Sequence, residues 1–599
     1  MPAQPRIYRP DLPQTPIVRQ SIFTYLMATT YHQYDTTSPA FIDADTGITL
    51  TRGKVKKLAL KLGYGVCSHI LLPSAVDPRS LTRLARGDTV MIFSSNTMSW
   101  PATVFACLAA GLRTTYAGCS LTPRELSWQW SDSKARVVFA APHLISVAKD
   151  MFKLLGISEE EADRRIWVMD QLWDDNLAKG EIWVMDQLWD DNLAKGEYGT
   201  ENWLGYLLHK GELAAEENFD GDSADETAYI CYSSGTTGRP KGVETTHKNV
   251  CTIMGMCKSV WKYVETEKDV QLGLMPFYHI FGLVMHLNYP FMGGQPCVLM
   301  LQGFDAEGLC RNVERFRVTT IMLAPPVILT LSLHPGLDNY NMTSLKCIAS
   351  AAAPLSLVVA ERLLERLGRQ GADVKLVQGC GSTETTCPAQ MVIPPDHRRK
   401  FGSIGQLMPN LELRLVDDDE NDVPEGEAGE MWVQKGYLNN PEATAASFAP
   451  GQWYKTGDVM RRDNDGYYYI VDRKKELIKY KGFQVAPAEL EAVLLENPQI
   501  TDVGVIGIVN EFDKNELPRA YVVPTNLSIL ESPGMKSVFE KSIQKWMQGQ
   551  VAYYKYLRGG VVALPEIPKS PSGKILRKDL RERAQEELAS EPKRVSARL

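Results

Sequence analysis

A run of hydroxyl-bearing residues and glycines follows an apolar segment near the middle of the chain. Ala228–Tyr232 is apolar, and Ser-Ser-Gly-Thr-Thr-Gly comes directly after it, shortly before Lys241. Glycines leave successive backbone N–H groups unhindered, so such a loop can surround phosphate oxygens while Lys241 neutralises charge. The Walker pattern differs, because here Gly follows the lysine and Pro precedes it. We predict a strand followed by a phosphate-binding loop of Ser233, Ser234, Gly235, Thr236, Thr237 and Gly238.

The size and charge of the chain restrict its class. Its 599 residues exceed what one hydrophobic core can organise, so at least two domains are expected. The net charge of -7 gives no general attraction to nucleic acid. The most apolar stretch, Leu283–Leu301, contains polar residues, glycines and prolines, which predicts buried core and not an integral membrane protein. The 11 cysteines lack metal-ligand spacing and predict reduced thiols.

The strand and helix patterns change along the chain. Apolar strand-like runs such as Thr89–Phe93 and Val137–Ala140 flank a small-residue helix at Ala102–Gly111, which predicts parallel sheet with crossover helices. From Leu411 the pattern becomes short strands with Asp, Gly and Pro turns, typical of an antiparallel barrel. After Asp472 the chain is basic, and strand and helix patterns alternate again. We therefore place the main domain boundary there.

The sequence Ile166–Glu181 is repeated without change as Ile182–Glu197. Repeat architectures need several diverged copies that stack on each other, so one identical tandem copy does not predict a solenoid. We expect one copy to supply a strand and the other to form a surface loop.

Further motifs occur in a fixed order around the phosphate loop. They are Leu121–Leu126, Pro276–His279, Gln378–Glu384, Tyr454–Asp458, Asp472–Gln484 and Pro568–Lys574. Together they resemble the adenylate-forming superfamily of acyl-CoA synthetases, luciferases and adenylation domains, and most of all its 4-coumarate:CoA ligase-like branch. The resemblance implies ATP-dependent activation of a carboxylic acid to acyl-AMP, then transfer to CoA, with Mg²⁺ as the metal.

The predicted fold class is α/β plus β-barrel. Residues 1–471 form the AMP-binding domain, with two α/β subdomains and a small barrel. Residues 472–599 form a smaller α+β domain, which the resemblance implies is a mobile lid. A lid that rotates lets one cleft adopt two active geometries.

The first half-reaction needs a metal ligand, cations and an anchor for the ribose. Glu384 is a hard carboxylate of the kind that Mg²⁺ prefers. By resemblance, Thr383 contacts the α-phosphate, Asp458 accepts from both ribose hydroxyls, and Arg473 contacts the nucleotide. Lys574 resembles the lysine that reaches the carboxylate and the α-phosphate.

The resemblance also implies residues for the second half-reaction. Lys475 corresponds to the pivot of the lid, and Lys479 and Gln484 correspond to residues that enter the site after rotation. His279 resembles a histidine that gates the acyl and thiol tunnels, which is a positional role and not that of a general base.

Two departures from the family pattern support a competing interpretation. Cys380 stands where an aromatic ring usually stacks on adenine, and Trp432–Lys435 lacks a short insert, so the register of that edge could shift. An adenylate-fold protein that binds ligand without turnover is therefore one alternative. An adenylating enzyme that delivers to a carrier protein is another.

The acyl pocket is predicted around His279 and the segment Ser350–Leu355. If a helix follows His279, Phe281 and Met285 are at i and i+4 and form one apolar wall. Ala351 stands where glycine is usual and takes a little room. We see no polar group in this wall, which favours an aryl, arylalkyl or medium-chain acid.

The sequence ends Ala597-Arg-Leu599, which is similar to the Ser-Lys-Leu peroxisomal address. The charged residues before it suit an exposed tail. We expect a peroxisomal location, with the import receptor as a partner and the cytoplasm as the alternative.

Overall fold

The structure is a computed structural model that describes residues 5–28, 34–74, 80–170, 203–233, 240–261, 268–352, 355–434, 448–451, 453–480, 483–509, 516–570 and 573–590. Several predicted features lie outside the described residues: Ser234, Gly235, Thr236, Thr237, Gly238, Lys435, the second repeat copy and the C-terminal tail. The backbones of Lys479 and Gln484 are described, but their side chains are not.

A six-stranded sheet carries the strand that precedes the phosphate loop. In spatial order its strands are Lys241–Thr246, Thr227–Ser233, Arg113–Ala117, Thr89–Phe93, Ala135–Ala140 and Ile166–Val168. All neighbours are parallel except the first two strands, which form an antiparallel hairpin. The last strand is the start of the first repeat copy, as predicted.

A nine-stranded sheet forms the second layer. Its order is Gln406–Leu407, Gln390–Met391, Lys375–Cys380, Cys347–Ser350, Thr320–Leu323, Gln271–Gly273, Cys297–Leu299, Pro39–Asp43 and Thr49–Thr51. The six strands from Lys375–Cys380 to Pro39–Asp43 are parallel, and antiparallel strands extend both edges. A two-stranded ribbon, Leu71–Pro73 with Leu81–Arg83, lies apart from both sheets.

Helices cover both faces of these sheets. The α-helices of this part are Ile22–Met27, Arg52–His69, Ser99–Ala109, Pro123–Ser133, Ile145–Leu154, Glu159–Arg165, Leu204–Leu207, His247–Val260, Ile280–Gly282, Tyr289–Gly293, Ala306–Phe316, Pro325–Leu333 and Leu357–Arg369. A π-helix spans Leu283–Asn288, and short 3₁₀ turns span Pro142–Leu144, Gly221–Asp225, Pro335–Asn339 and Pro394–Asp396.

Side chains that alternate along each strand divide the core into layers. Val90 and Ile92 face the core between the two sheets, whereas Met91 and Phe93 face the helices on the outer side. The nine-stranded sheet likewise has a separate core on its other face, with Val298 beneath the outer helices. The result is a layered α/β arrangement, as the alternating strand and helix patterns predicted.

A five-stranded antiparallel sheet follows the α/β part. Its strands are Leu413–Val416, Gly429–Gln434, Phe448–Ala449, Trp453–Arg462 and Tyr468–Arg473. They cover a separate core that includes Leu413, Met431 and Met460. Trp432 pairs with Lys455 after an irregularity in the ladder, so the part of this segment up to Gln434 still forms a strand between two neighbours. The predicted antiparallel subdomain is present.

The C-terminal part has its own core, which begins at Ile478. It contains a two-stranded ribbon (Ile478–Tyr480, Phe483–Val485), a three-stranded sheet (Ile500–Val509, Glu516–Pro524, Val561–Ala563), three α-helices (Pro487–Leu494, Pro533–Gln548, Arg577–Ser590) and 3₁₀ turns at Leu527–Glu531 and Tyr553–Lys555. The α/β, barrel and α+β fold class is confirmed. The boundary at Asp472 stays a prediction, because the strand Tyr468–Arg473 crosses it.

The structure also bears on the expectations of no membrane span and of reduced thiols. Within the described ranges, no helix has the length and apolar character that a membrane span needs. The stretch Leu283–Leu301 instead contributes buried helix and strand to the core between the sheets. All eleven cysteines are described, and none forms a disulfide.

Candidate functional site

The predicted phosphate loop connects the two strands of a hairpin. Ser233, the last residue of one strand, pairs with Lys241, the first residue of the next. The two ends of the loop therefore lie side by side. The Ser233 hydroxyl oxygen is buried and has no hydrogen-bond partner among the described residues. A buried hydroxyl without a partner is costly, so a ligand oxygen at this hydroxyl would be stabilising.

The segment after strand Lys375–Cys380 places two predicted ligand residues at the carboxyl edge of the nine-stranded sheet. Thr383 and Glu384 are only 7% and 6% exposed. The chain turns tightly just after them, since Thr386 and Cys387 have φ values of 61° and 46°. Carboxyl edges of parallel strands are where α/β proteins bind ligands. A nearly buried carboxylate at that edge fits a site for Mg²⁺.

Asp458 and Arg473 form an ion pair across two adjacent strands. The residues are directly opposite each other in the ladder, and Arg473 Nε lies 3.1 Å from Asp458 Oδ1. Burial raises the pKa of Asp458, although Arg473 and Lys574 oppose that change. The Asp458 carboxylate in turn raises the pKa of Arg473. The pair holds the carboxylate in a fixed direction, which an anchor for hydroxyl groups requires.

Lys574 reaches this cluster from the C-terminal part of the chain. The backbone N–H of Ser570 donates to the carbonyl oxygen of Lys574 over 2.8 Å, and this hydrogen bond closes the turn that carries the lysine. Gly573 has a φ of 80°, and a Cβ added there would lie 3.2 Å from Ala324 Cβ. Burial and the Arg473 guanidinium lower the pKa of Lys574, while Asp458 opposes them. The two parts of the chain thus meet with this ammonium in the cleft.

Arg577, which the sequence did not single out, fixes the segment that carries Lys574. Its guanidinium lies 2.9 Å from Glu476 and 2.6 Å from Glu491, and it also donates to the Val505 carbonyl. Burial raises the pKa of Glu491 to about 7. No local pattern marks these partners, because the pairing joins residues 101 and 86 positions apart.

His279 begins the helical segment beside the cleft. Its Nδ1 accepts from the Phe281 N–H over 3.2 Å, which leaves the proton of the neutral ring on Nε2. Burial and the positive charge of Lys574 lower the pKa of His279 to about 4. The imidazole is therefore neutral at physiological pH, in agreement with a positional role.

The acyl wall differs from the prediction in its helix type. Residues Leu283–Asn288 form a π-helix, so the ring of Phe281 meets that of His286, five positions on, with centroids 5.9 Å apart. Met285 is buried, and Phe281 is partly buried against the same core. The assumption of i,i+4 α-helical geometry was wrong here, because π-helical turns are wider.

Two buried polar groups lie near the residues of the predicted acyl wall, and the apolar character of that wall stays a prediction. His286 is fully buried, and its Nδ1 lies 2.7 Å from Gln271 Nε2. Ser350, next to the partly buried Ala351, has a buried hydroxyl with no partner in the described part of the chain. In the sequence, the polar residue His286 within an otherwise apolar stretch was the signal that could have indicated a buried polar group here.

The residues predicted for the second half-reaction come from a segment about a hundred residues before Lys574 in the sequence. Lys475 is exposed in the turn after Arg473. Lys479 and Gln484 are opposite each other in the ribbon of the C-terminal part. The structure therefore brings together Lys574, Asp458, Arg473, Glu384, Cys380 and His279, whereas the roles of Lys475, Lys479 and Gln484 stay predictions.

Cys380 lies at the end of strand Lys375–Cys380 and packs against the core of the five-stranded sheet. Burial raises the pKa of its thiol to about 12, so the group is neutral at physiological pH. The charges of Asp458, Arg473 and Lys574 all act on this thiol, which places Cys380 close to these three residues.

We expect Cys380→Tyr to strengthen ATP binding, because an aromatic face can stack on adenine. Stacking of about 1 kcal/mol corresponds to a roughly fivefold lower KM for ATP, with little change in kcat. Steady-state kinetics with ATP as the varied substrate measures this, and Cys387→Ala serves as a control for a nearby buried thiol. An unchanged KM for both Cys380→Tyr and Cys380→Phe would show that Cys380 does not face the base.

Comparison with known proteins agrees with this geometry. Residues 79–438 match the AMP-binding enzyme family, and residues 489–574 match the AMP-binding enzyme C-terminal domain. The chain is 30% identical over 90% of its length to the probable CoA ligase CCL5 of Humulus lupulus, covering 89% of that protein. It is 35% identical to a putative acyl-coenzyme A synthetase of Emericella nidulans, covering 84% of this chain and 86% of that one. In fold it resembles the anthranilate CoA ligase AuaEII, with a TM-score of 0.78, 23% identity and coverage of 96% and 99%.

Proposed function

The chain belongs to the AMP-binding enzyme family, and from this premise we propose that it is an acid:CoA ligase with an aryl, arylalkyl or medium-chain acid as substrate. Such an enzyme activates the acid with ATP and then transfers the acyl group to CoA. The observation that carries the proposal is the cluster of Lys574, Asp458, Arg473 and Glu384, drawn from both parts of the chain.

In the first half-reaction an acid carboxylate oxygen attacks the α-phosphorus of ATP, and pyrophosphate leaves. Charge gathers on the oxygens around that phosphorus, and Lys574 supplies the cation that stabilises it. Asp458, held by Arg473, accepts from the ribose hydroxyls. Glu384 is the carboxylate that would hold Mg²⁺, which supplies further neutralisation of phosphate charge when bound.

In the second half-reaction the CoA thiol releases its proton to solvent, its sulfur forms a bond to the acyl carbonyl carbon, and the bond from that carbon to the phosphate oxygen breaks, so that AMP leaves. We assign Lys479 and Gln484 to this step, after a rotation at Lys475 that withdraws Lys574. The separate core of the C-terminal part supports such rigid-body movement. The neutral His279 at the cleft lines the path between acid and thiol.

The proposed acid class rests on the wall of Phe281, Met285 and Ala351, which is largely apolar. The buried His286 behind Phe281 is linked to Gln271 and does not present a charge at physiological pH, since burial lowers its pKa to about 3. An apolar wall without a fixed charge suits an acid whose only charged group is the reacting carboxylate.

A panel of acids tests the proposal. Pyrophosphate release with ATP is measured for benzoate, cinnamate, 4-coumarate, hexanoate and octanoate, each with and without CoA, and the thioester is detected separately. We expect acid-dependent release and a CoA thioester. Release by no acid from folded protein would favour a ligand-binding protein, and release without thioester would favour another acceptor.

We also propose a peroxisomal location, supported by the Ala597-Arg-Leu599 ending of the sequence. A fusion with a fluorescent protein at the N-terminus should colocalise with a peroxisomal marker, because the receptor needs a free C-terminal tripeptide. Deletion of the last three residues should disperse the fusion, and Lys593→Ala is the matched control within the same tail. An unchanged distribution after the deletion would contradict the assignment.

A further inference from the structure

A buried arginine that has no contact with the residues of the catalytic cluster among its described neighbours is at the first position of the helix Arg52–His69. Arg52 is 8% exposed, and its guanidinium is 4.1 Å from the centroid of the Phe291 ring and 5.0 Å from that of Tyr34. Gly294 has a φ of 72°, and a Cβ added there would lie 2.4 Å from Tyr34 Cε1, so Tyr34 is packed tightly in place. The two rings therefore hold the guanidinium in a fixed position.

Among the described residues, no carboxylate forms an ion pair with Arg52. Its Nη1 is buried and has no hydrogen-bond partner among the described residues. Burial lowers the pKa of Arg52 to about 10, and only the Tyr34 hydroxyl opposes this. A buried cation without a counter-charge costs roughly several kcal/mol, even after the protein and solvent relax around it. An anion bound beside Arg52 would therefore be stabilising.

A cavity of about 60 Å³ adjoins this guanidinium. Lys56 lies one helical turn after Arg52 at its wall, and the other lining residues are Leu26, Met27, Ala28, Tyr34, Thr36, Gly53 and Phe291. In the part of the chain that the structure describes, the lining contains two cations and no acidic residue. The space suits one carboxylate or phosphate group and is too small for a nucleotide.

The guanidinium, and not the helix backbone, is the group available to an anion. The N–H groups of Arg52 and Gly53 donate to Ser38 O and Thr36 O over 3.0 and 2.8 Å, and Lys54 N–H donates to Thr51 Oγ1 over 3.3 Å. An arginine has five N–H donors in a planar fork that matches an oxyanion.

We propose that Arg52 and Lys56 form a binding site for a small oxyanion, a carboxylate or a phosphate, separate from the nucleotide cleft. Phe291, which packs on Arg52, belongs to helix Tyr289–Gly293, and that helix continues the helical segment that begins after His279. An anion at Arg52 therefore lies at the far end of the segment that forms the acyl wall.

Thermal unfolding of the full chain tests the site, with AMP present throughout so that the nucleotide cleft is occupied. Inorganic phosphate and acetate are titrated separately against sodium chloride at constant ionic strength. An anion at about ten times its Kd should raise the Tm of the wild-type protein by roughly 1 °C, because the unfolding entropy of a chain of this length is large. A response to phosphate alone identifies an inorganic ion, and a response to acetate identifies an organic acid.

Arg52→Met should abolish this rise. In chloride its Tm should equal or exceed that of the wild type, because the unpaired charge is gone. Arg86→Met is the matched control: Arg86 is also 4.1 Å from a ring, that of Phe219, but it pairs with Glu226. That variant should keep the anion response.

Three results would overturn the proposal: no Tm rise in the wild type, an equal rise in Arg52→Met, or the same loss of stability for Arg52→Met in every buffer. If Arg52→Met does not fold, Lys56→Gln decides, since Lys56 is exposed. For Lys56→Gln, the anion concentration that gives half of the maximal Tm rise should increase about threefold, because the variant loses one partly screened charge. An unchanged titration would overturn the site.

Discussion

Replacing Lys574 by methionine is expected to slow acyl-adenylate formation by about 10²- to 10³-fold, the scale for loss of one preorganised group that stabilises developing charge. The ammonium lies with Asp458, Arg473 and Glu384 in the cleft, where burial makes each charge count more than in water. The measurement is acid-dependent exchange of pyrophosphate into ATP, which reports the first half-reaction alone.

The second half-reaction separates a catalytic role from a structural one. When acyl-AMP is supplied, Lys574→Met should form thioester within about threefold of the wild-type rate, because the lysine acts only on the charge of the first step. Lys578→Met is the matched control, since that side chain is 84% exposed on the following helix. Equal losses in both half-reactions would contradict the assignment.

The pKa of Lys574 gives a second test of the same group. Burial and Arg473 lower that pKa, so the lysine loses its proton at a lower pH than an ordinary lysine. Adenylation should therefore decline on the alkaline side before the usual lysine range, while thioester formation from supplied acyl-AMP should not follow that decline. Lys574→Arg, which stays protonated, should move the alkaline limit upward.

Replacing Asp458 by alanine is expected to lower kcat/KM for ATP by about 10²-fold or more, since two hydrogen bonds to a charged group contribute about 1.5–3 kcal/mol each. The change also leaves Arg473 without its carboxylate. Because the Arg473 side chain is 41% exposed, solvent screens this loss, and we expect only about 1 kcal/mol of lower stability. ATP kinetics and urea unfolding of the same preparation measure the two effects.

Two variants distinguish anchoring from folding. Asp458→Asn keeps the size of the side chain and one acceptor oxygen, so it should retain part of the ATP affinity. Asp463→Asn removes an ion pair of 2.7 Å with Lys400 in the same subdomain, and it should affect stability without changing the KM for ATP. A normal KM for ATP in Asp458→Ala would refute the anchoring role.

The acid side of the pH profile should also depend on Asp458. Burial raises its pKa, so the carboxylate takes up a proton at a higher pH than an ordinary aspartate. A protonated carboxyl accepts fewer hydrogen bonds from hydroxyl groups. Affinity for ATP should therefore fall on acidification earlier than the usual aspartate range implies, and this limb should be absent in Asp458→Asn.

Local sequence was sufficient where backbone chemistry decides the conformation. The apolar run before Ser233 predicted a strand, and the alternation from Thr89 to Ala140 predicted parallel sheet, because side-chain periodicity and burial follow from backbone geometry. The order of the motifs along the sequence indicated the family. It also gave Asp458, Glu384 and Lys574 as candidates, and the structure places these three within electrostatic range of one another.

The wall beside His279 shows where local sequence failed. An α-helical period was the natural assumption for Phe281 and Met285, yet a π-helix spans Leu283–Asn288 and turns His286 into the core. Such a wide turn is stabilised by neighbours such as Gln271, which bonds both the Met285 carbonyl and His286. Those neighbours come from a distant strand, so no pattern within the helix reveals them.

The sequence by itself thus determined the strands and the order of the family motifs, since these depend on neighbours along the chain, whereas the phosphate-binding role of the loop after Ser233 stays a prediction. Only the tertiary structure decided that Lys574 enters the cleft, that Arg577 fixes its segment there, and that Arg52 is buried with an Nη1 that lacks a hydrogen-bond partner among the described residues. Desolvation and ion pairing set those properties, and both depend on groups that folding brings together from distant segments.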